Sequence, residues 1–266
     1  MQEISSTNNA KIKHLMLLQK KSSLRRKTRE FVVEGIREIK KAMHNGYFFQ
    51  EIYYCPDLFP DDELEKLRNR FDLSKTIFFK ITRKLYDKIA YRGSTEGVIG
   101  IAQMKKHSFD ELKLSDNPFL LVAESIEKPG NTGAILRSVD GAGADALIWV
   151  NPVTDLYNPN IIRSSLGTVF SNQIVVCDTA ELSDFLQQKN IKLFSATLQN
   201  SHLYFKENYT GATAIAVGAE DKGLSDEIRK ISNQSIYIPM KGDADSLNVS
   251  VSAAILLYEV VRQREI

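Results

Sequence analysis

Apolar and polar positions alternate along the chain in a way that predicts two α/β domains. In the first 104 residues, short apolar runs predict strands over residues 31–33, 51–54, 76–79 and 97–102. Segments with apolar residues at helical spacing predict helices over residues 9–20, 36–44, 61–70 and 82–90. This alternation is typical of a small α/β sandwich of about 100 residues.

The alternation restarts after a polar stretch over residues 105–117, which we predict to be a linker. The apolar strands predicted beyond it cover residues 119–123, 146–150, 174–176, 192–196, 213–217 and 235–238. The helices predicted between and after them cover residues 132–142, 160–166, 180–189, 226–231 and 249–264. Apolar strands separated by helices predict a parallel sheet covered on both faces. The predicted domains are therefore residues 1–104 and 118–266.

The composition is that of a globular protein, with 43% hydrophobic and 26% charged residues. No apolar run reaches the roughly 18–20 residues of a membrane span. Residues 1–13 are polar and lack the apolar core of a secretory signal. Cys55 and Cys177 lie far apart without metal-ligand spacing. We therefore expect buried thiols in a reducing cytoplasm, no disulfide and no metal site.

Charge is distributed unevenly between the two halves. Residues 1–110 hold 22 Lys and Arg against 14 Asp and Glu, a net of +8. Residues 111–266 hold 13 against 19, a net of −6. This asymmetry is typical of a basic module for a polyanion joined to a module with another task. Solvated helix faces are also often basic, so charge alone leaves nucleic-acid binding open.

A first polar loop, over residues 127–137, follows a buried strand and opens a helix. Pro129 and the glycine after it predict a turn, and Asn131 or Thr132 can cap the helix. Arg137 then lies about one and a half turns into that helix. An ordinary strand-to-helix connection would explain this loop alone.

Two further polar loops have the same placement after buried strands. The loop over residues 217–224 has two glycines around Glu220, which allow close backbone approach to a ligand. The loop over residues 238–252 enters the terminal helix, where Ser246 and Asn248 are good caps. Each loop fits a turn or a cap, but the three together indicate one site.

The three loops resemble the motifs of the SpoU (TrmH) family of RNA ribose methyltransferases, within the SPOUT superfamily. Those motifs have the forms N-x-G-x-I-x-R, G-x-E-x-x-G and I-P-M-x-G-x-x-x-S-L-N-V-S. The matching positions are Asn131, Gly133, Ile135, Arg137, Gly218, Glu220, Gly223 and residues 238–250. Residues 9–13, the basic stretch after them and residues 31–35 are similar to the family's usual RNA-binding domain. The resemblance thus covers nearly the full chain.

The resemblance implies a fold, a cofactor and an assembly. The fold is a C-terminal parallel-sheet α/β domain threaded into a deep trefoil knot, preceded by a small α/β domain similar to ribosomal proteins that bind bent RNA. The knotted domains pair as a homodimer, and the cofactor is S-adenosylmethionine. The implied cofactor-binding residues are Thr197, Leu198, Gly218, Ile238, Met240 and Leu247.

The implied reaction is transfer of a methyl group from S-adenosylmethionine to a ribose 2′-hydroxyl of structured RNA. The implied catalytic residue is Arg137. Because a guanidinium has a pKa above about 12 and keeps its proton, we interpret its role as binding the adjacent phosphate and the nascent oxyanion. The residues expected to fix Arg137 and the nucleotide by hydrogen bonds are Asn131, Glu220, Ser246 and Asn248.

The basic stretch supplies the predicted RNA contacts, because cationic side chains bind phosphates and carry little sequence information. The candidates are Arg25, Arg26 and Lys27, followed by Lys20, Lys21 and Arg92. The extra N-terminal domain favours ribosomal RNA over transfer RNA as the substrate, in the cytoplasm.

Three alternatives stay open at the level of the sequence. One is a transfer-RNA 2′-O-methyltransferase. Another is a ribosome-associated RNA-binding protein that keeps the fold without catalysis, against which the intact Asn131, Arg137, Glu220 and Asn248 argue. The last is a nucleotide-dependent oxidoreductase, which the missing G-x-G-x-x-G fingerprint makes a poor fit.

Overall fold

A computed structural model describes residues 2–91 and 96–265 of the chain. Its backbone forms two compact units. The first contains Met1–Lys105 and Asp155–Ser171, and the second contains Lys106–Thr154 and Asn172–Ile266. The inserted segment Asp155–Ser171 therefore belongs to the first unit, although we predicted it within the C-terminal domain. The candidate RNA contact Arg92 lies outside the described residues.

Strands and helices alternate from the N-terminus to residue 103. In chain order they are β1 (Gln2–Ile4), α1 (Ala10–Lys20), α2 (Ser22–Thr28), β2 (Glu30–Glu34), α3 (Ile36–His44), β3 (Phe49–Tyr54), α4 (Asp61–Arg70), β4 (Ile77–Ile81), α5 (Arg83–Ile89) and β5 (Val98–Gln103).

The same alternation continues to the C-terminus. The elements are β6 (Phe119–Glu124), α6 (Pro129–Ala142), β7 (Ala146–Val150), α7 (Pro159–Ser164), α8 (Thr168–Ser171), β8 (Ile174–Cys177), α9 (Thr179–Lys189), β9 (Lys192–Ala196), β10 (His202–Leu203), β11 (Thr213–Val217), α10 (Asp226–Ile231), β12 (Gln234–Tyr237) and α11 (Val249–Arg264).

The first unit is built on a five-stranded sheet in the order β1-β4-β3-β5-β2. The strands β1, β4 and β3 run parallel, whereas β5 is antiparallel to both of its neighbours. Ile12, Leu15 and Leu18 of α1 are fully buried in the core of this unit, because their spacing places them on one helix face. All four strands predicted for this half form.

The second unit is built on a seven-stranded sheet in the order β10-β12-β9-β11-β6-β7-β8, in which every pair is parallel. Every residue of β6, β7 and β11 is buried. A parallel sheet with both faces covered explains why these strands are apolar throughout. The predicted α/β fold with a parallel sheet is confirmed, and all six predicted strands form.

The hydrophobic pattern does not predict β1, α2, α8 and β10. The strands β1 and β10 have three and two residues, and α8 has four, which is too few to show a period. The helix α2 has the sequence SSLRRKT, with one apolar side chain, Leu24, and thus no apolar face. It ends at Arg29, whose φ of 57° is left-handed.

Arg25 of α2 is buried, which contradicts its predicted role in binding RNA. The side chain is 2% exposed and forms a bidentate ion pair with Asp155 of the inserted segment. The distances are 3.0 Å from Nε to Oδ1 and 2.5 Å from Nη2 to Oδ2, and Nη1 donates to the carbonyl of Leu18 at 2.6 Å. With a further bond from Nη1 to the carbonyl of Gln19 at 3.2 Å, four of the five N–H donors are engaged, and burial keeps this guanidinium from an RNA phosphate.

The predicted linker is not a free connection. Residues 106–117 belong to the second unit, where Phe109 stacks on Phe185 of α9 with ring centroids 4.2 Å apart. The backbone N–H of Ser115 donates to Asp145 at 2.8 Å. Polar composition therefore marks an exposed strap along this unit rather than a mobile joint.

Both cysteines are buried and unpaired with one another, as predicted. Burial raises the pKa of the Cys177 thiol to about 12, and it also raises the pKa of the Cys55 thiol. These thiols therefore stay protonated at neutral pH and act as small apolar side chains.

Candidate active site

The three predicted motifs lie at one edge of the second sheet. The strands β12, β9, β11 and β6 are consecutive and parallel, so their carboxyl ends open on the same side. The first motif follows β6, the second follows β11, and the third follows β12. Ligands of open α/β sheets bind at this kind of edge.

A chain of hydrogen bonds joins the three motifs. The Nδ2 of Asn131, in the first motif, donates to Oε1 of Glu220 in the second. The Nδ2 of Asn248, in the third, donates to Oδ1 of Asn131 at 3.2 Å. The Oδ1 of Asn248 then accepts from the backbone N–H of Ser250 at 3.0 Å and caps α11. The structure thus brings together three of the five predicted catalytic residues.

The direction of these hydrogen bonds follows from Glu220. An ionised carboxylate only accepts, so it must face the amide nitrogen of Asn131. That leaves the oxygen of Asn131 to accept from Asn248, and the oxygen of Asn248 to cap the helix. One negative charge therefore fixes the orientation of two amides and the start of α11.

The carboxyl of Glu220 is held ionised. Burial raises its pKa, but hydrogen bonds from the Asn131 side chain and from the backbone N–H groups of residues 220, 127 and 128 outweigh burial. The net pKa lies below the usual value for glutamate. The backbone N–H of Glu127 donates to Oε2 at 3.3 Å, so the second motif also holds the loop that precedes α6.

Substituting Glu220 with glutamine should disrupt the hydrogen-bonded chain Glu220–Asn131–Asn248. The NH2 group of the new amide would face an N–H group that now donates to the carboxylate. We expect the second unit to lose about 1–2 kcal/mol of stability at neutral pH. A carboxyl whose pKa is lower in the folded than in the unfolded protein stabilises the folded state. This contribution is complete above the unfolded pKa of about 4.3, and it is lost as the pH falls through the pKa of the folded state. The difference between wild type and Glu220→Gln should therefore shrink on acidification.

Urea unfolding followed by the fluorescence of Trp149, the one tryptophan, measures this difference in the unit that contains the site. The matched control is Asp221→Asn, an exposed neighbour with no hydrogen bond in the described part of the chain. Equal stability of Glu220→Gln and Asp221→Asn at neutral pH would contradict the prediction.

The helix α6 begins earlier than predicted. Lys128 is the N-cap and Pro129 is the first helical residue, where its fixed φ and missing N–H cost nothing. Asn131 is therefore inside the helix and does not cap it, and its side chain is free to reach Glu220. Arg137 lies more than two turns from the helix start, and its exposed side chain has no hydrogen bond or ion pair among the described residues.

A cavity of about 140 Å³ lies beside these motifs in the second unit. It is formed by the ends of β9 and β12 and by the third motif. Among the predicted residues, those that line it are Thr197, Leu198, Ile238, Met240, Ser246 and Leu247. Ser246, which we predicted to be catalytic, thus lines the cavity rather than joining the hydrogen-bonded chain. Sequence reasoning missed Ala196, Ile236, Tyr237, Asp245 and Ser252, which neighbour the motif positions.

Gly218 has a structural reason to be glycine. A Cβ at this position would lie 2.2 Å from the backbone carbon of Gly223, inside its own loop. Gly223 itself has a φ of +67°, and its N–H donates to the carbonyl of Ala219 at 2.9 Å. The close approach at Gly218 is therefore between two parts of the second motif, whereas we predicted an approach to a ligand, and Gly218 does not line the cavity.

Glu124, at the end of β6, is a residue that sequence reasoning missed. It is 4% exposed, and its Oε2 accepts from the backbone N–H of Ser225 at 2.8 Å. Through this bond the end of β6 fixes the end of the second motif. The signal was available in the sequence, because a carboxylate closing an otherwise apolar strand rarely lies there by chance.

Residues 2–91 and 96–265 contain no group of three or more His, Cys, Asp and Glu that could hold a metal ion. Within the same ranges, no helix has the length and apolar character needed to cross a membrane.

Known proteins are similar to this chain in sequence and in fold. Residues 118–258 match the SpoU rRNA Methylase family, and residues 9–100 match the MRM3-like substrate binding domain. The chain therefore belongs to the SpoU rRNA methylase family, as its motifs predicted.

Individual relatives are similar over nearly their whole length. The chain is 27% identical over 260 residues to the 23S rRNA (guanosine(2553)-2′-O)-methyltransferase RlmP of Bacillus subtilis (strain 168), covering 98% of this chain and 99% of that protein. A solved structure of an RNA 2′-O ribose methyltransferase has 36% identity and a TM-score of 0.84, covering 99% and 100%. The SpoU methyltransferase AviRb from Streptomyces viridochromogenes, in complex with AdoMet, has 26% identity and a TM-score of 0.89, covering 97% and 99%.

Proposed function

We propose that this chain transfers the methyl group of S-adenosylmethionine to a ribose 2′-hydroxyl of 23S ribosomal RNA. The observation that carries the proposal is the hydrogen-bonded chain Glu220–Asn131–Asn248, which unites the three family motifs beside the cavity. Membership of the SpoU family and the relatives' rRNA 2′-O-methyltransferase activity support the same reaction.

The cavity, of about 140 Å³, has the size and chemistry to take the adenine ring of S-adenosylmethionine rather than the whole cofactor. Leu198, Ile238, Met240 and Leu247 give apolar walls suited to the adenine ring. Leu198 is 68% exposed, so a bound ring would cover apolar surface that now faces water. The cofactor supplies an activated methyl group on its sulfonium.

Arg137 has the position and freedom of a group that meets the RNA. It is exposed on α6 and engages no described residue, so its donors are available. We assign it to the phosphate beside the target ribose and to the oxygen that becomes negative as the methyl group transfers. The hydrogen-bonded chain Glu220–Asn131–Asn248 positions the start of α6, the helix that carries Arg137. Ser246 would orient the cofactor or the nucleotide from the cavity wall.

The chain is expected to act as a homodimer, in the cytoplasm where ribosomes are built. Val251 and Tyr258 support an interface, because they lie seven residues apart on one face of α11 and are 46% and 51% exposed. Sedimentation should give twice the chain mass of 30.1 kDa. A single 30.1 kDa species at micromolar concentration would refute the dimer.

Arg26 and Lys27 should hold RNA phosphates, since both are exposed on α2. Replacing both with glutamine should flatten the plot of log affinity against log salt by about 1.4–1.8, the contribution of two phosphate contacts. The measurement is a salt titration of RNA binding. The control is Lys189→Gln with Lys192→Gln, two exposed lysines of the second unit. If the salt slope falls equally in the control variant, Arg26 and Lys27 are not the specific RNA contacts.

The test of the reaction itself uses 23S rRNA, transfer RNA and S-adenosylmethionine with a labelled methyl group. A 2′-O-methyl group blocks alkaline cleavage of the next phosphodiester, so the modified nucleotide maps as a gap in the hydrolysis ladder. We expect one gap in 23S rRNA. Label in transfer RNA alone would establish the alternative substrate. Absence of label from both, together with RNA binding, would favour the non-catalytic RNA-binding protein.

A further inference from the structure

The first unit contains a second cavity, of about 340 Å³, that the proposed reaction does not use. It is formed by β2, the start of α3 and the inserted segment. Three carboxylates line it, from Glu34, Glu38 and Glu96, together with apolar walls that include Val32 and Ile162. A cavity of this size holds a nucleobase with its ribose, since small-ligand sites begin at about 300 Å³.

Glu38 is the feature that indicates a ligand. It is 4% exposed, and its Oε1 accepts from Nε and Nη2 of Arg37 at 2.9 and 2.5 Å. Its Oε2 has no hydrogen bond within the described residues. This oxygen is therefore open to accept an N–H from a ligand that enters the cavity.

The local backbone is adapted to that carboxylate. A Cβ at residue 35 would lie 2.8 Å from Oε2 of Glu38, and Gly35 has a φ of +100°, which other residues rarely adopt. Glu96 accepts from the backbone N–H of Ile36 at 2.6 Å, so the start of α3 already has a carboxylate partner. The helix terminus is thus not an anion site. The cavity therefore suits a ligand that donates hydrogen bonds.

We propose that this cavity binds a guanine of the substrate RNA, with the base's N1–H and N2–H both donating to Oε2 of Glu38. Guanine alone among the four bases has two adjacent donors on its Watson–Crick edge, and the two lone pairs of one carboxylate oxygen can accept both. Unpaired bases of RNA are read in this way by their edges and stacked against side chains. The proposal deepens the proposed function, because it rests on the chain binding RNA.

A nucleotide has a feature that an arginine side chain, which has the same pair of donors, lacks, namely the phosphates on either side of the base. Arg37 and Arg163 line the cavity and are exposed. The side chain of Arg163 has no ion pair or hydrogen bond with any residue that the structure describes. The two exposed guanidiniums can bind the phosphates on either side of a guanosine, whereas an arginine side chain offers them no anion.

The test measures equilibrium binding of RNA pentamers to the full chain without S-adenosylmethionine. The probes are UUGUU, UUAUU and UUIUU, in which inosine lacks only the N2 amino group. We expect UUGUU to bind roughly tenfold tighter than UUIUU, the usual worth of a bidentate base contact. Glu38→Gln should remove this preference and leave S-adenosylmethionine binding unchanged. The matched control Glu65→Gln, at an exposed glutamate of α4, should keep it.

Several results would overturn the assignment. Equal binding of UUGUU and UUIUU, tighter binding of UUAUU, or no binding of UUGUU at millimolar RNA would each do so. A preference that survives in Glu38→Gln would place the guanine elsewhere. Displacement of UUGUU by lower concentrations of N-acetylargininamide would assign the cavity to a protein partner. Because no methyl transfer is measured, these results are separate from the labelling of 23S rRNA.

Discussion

Replacing Arg137 with alanine should lower the rate constant of methyl transfer by about a hundredfold or more while the affinity for S-adenosylmethionine stays unchanged. Removing one donor that stabilises a developing oxyanion typically costs about 10²–10³ in kcat. Arg137 does not line the cofactor cavity, and no described residue depends on it for a hydrogen bond. Single-turnover methylation of 23S rRNA and calorimetry of cofactor binding measure the two quantities.

A lysine at position 137 separates charge from geometry. It keeps one positive charge but loses the planar fork that binds phosphate and oxyanion together, so we expect an intermediate rate. The control is Arg262→Ala, an exposed arginine of α11 whose hydrogen bonds are to Glu259 on the same helix. A wild-type rate for Arg137→Ala would end the assignment of Arg137 to the reaction. Loss of cofactor affinity would move its role to binding.

The sequence predicted most of the candidate site because that site is built from loops. Loop residues with special backbone or polar requirements, such as Pro129 and Asn248, stand out against apolar strands on either side. Parallel strands also bring their carboxyl ends to one edge, so motifs far apart in the chain could be expected to meet.

The direction of the hydrogen bonds in the chain Glu220–Asn131–Asn248 could not be predicted from the sequence. It depends on which atom of Asn131 faces Glu220, and that depends on where α6 begins. A start at Pro129 turns Asn131 from a cap into a link between motifs. Helix boundaries are set by local competition among caps, which differ by about 1 kcal/mol, so periodicity alone does not fix them.

Arg25 shows the limit of arguments from charge. In the sequence it stands among basic residues, and Arg26 and Lys27 beside it are indeed exposed. Its partner Asp155 is 130 residues away, in a segment whose sequence belongs to the other half of the chain. Nothing in a count of charges reveals that one cation of such a cluster turns inward. Burial follows from tertiary contacts that only the fold brings together.

Replacing Asp155 with alanine should therefore destabilise the first unit by about 3–5 kcal/mol, because it leaves the buried Arg25 guanidinium without its anion. Trp149 lies in the second unit and does not report this change. Hydrogen exchange of β2 and α1 does, since slow amides there follow the opening of the core. RNA binding should keep its salt slope in the fraction that remains folded.

Two further variants test whether the loss of stability comes from the buried ion pair. Lys66→Ala removes a surface ion pair with Asp62 and Glu63 in the same unit and should leave the stability of that unit nearly unchanged. The double variant Arg25→Met with Asp155→Leu replaces the buried pair with apolar side chains and should recover much of the loss, as buried pairs exchanged for packed apolar groups often do. If Asp155→Ala instead kept full protection and only flattened the salt slope, Arg25 would be an RNA contact after all, and the ion pair would not be what holds the inserted segment.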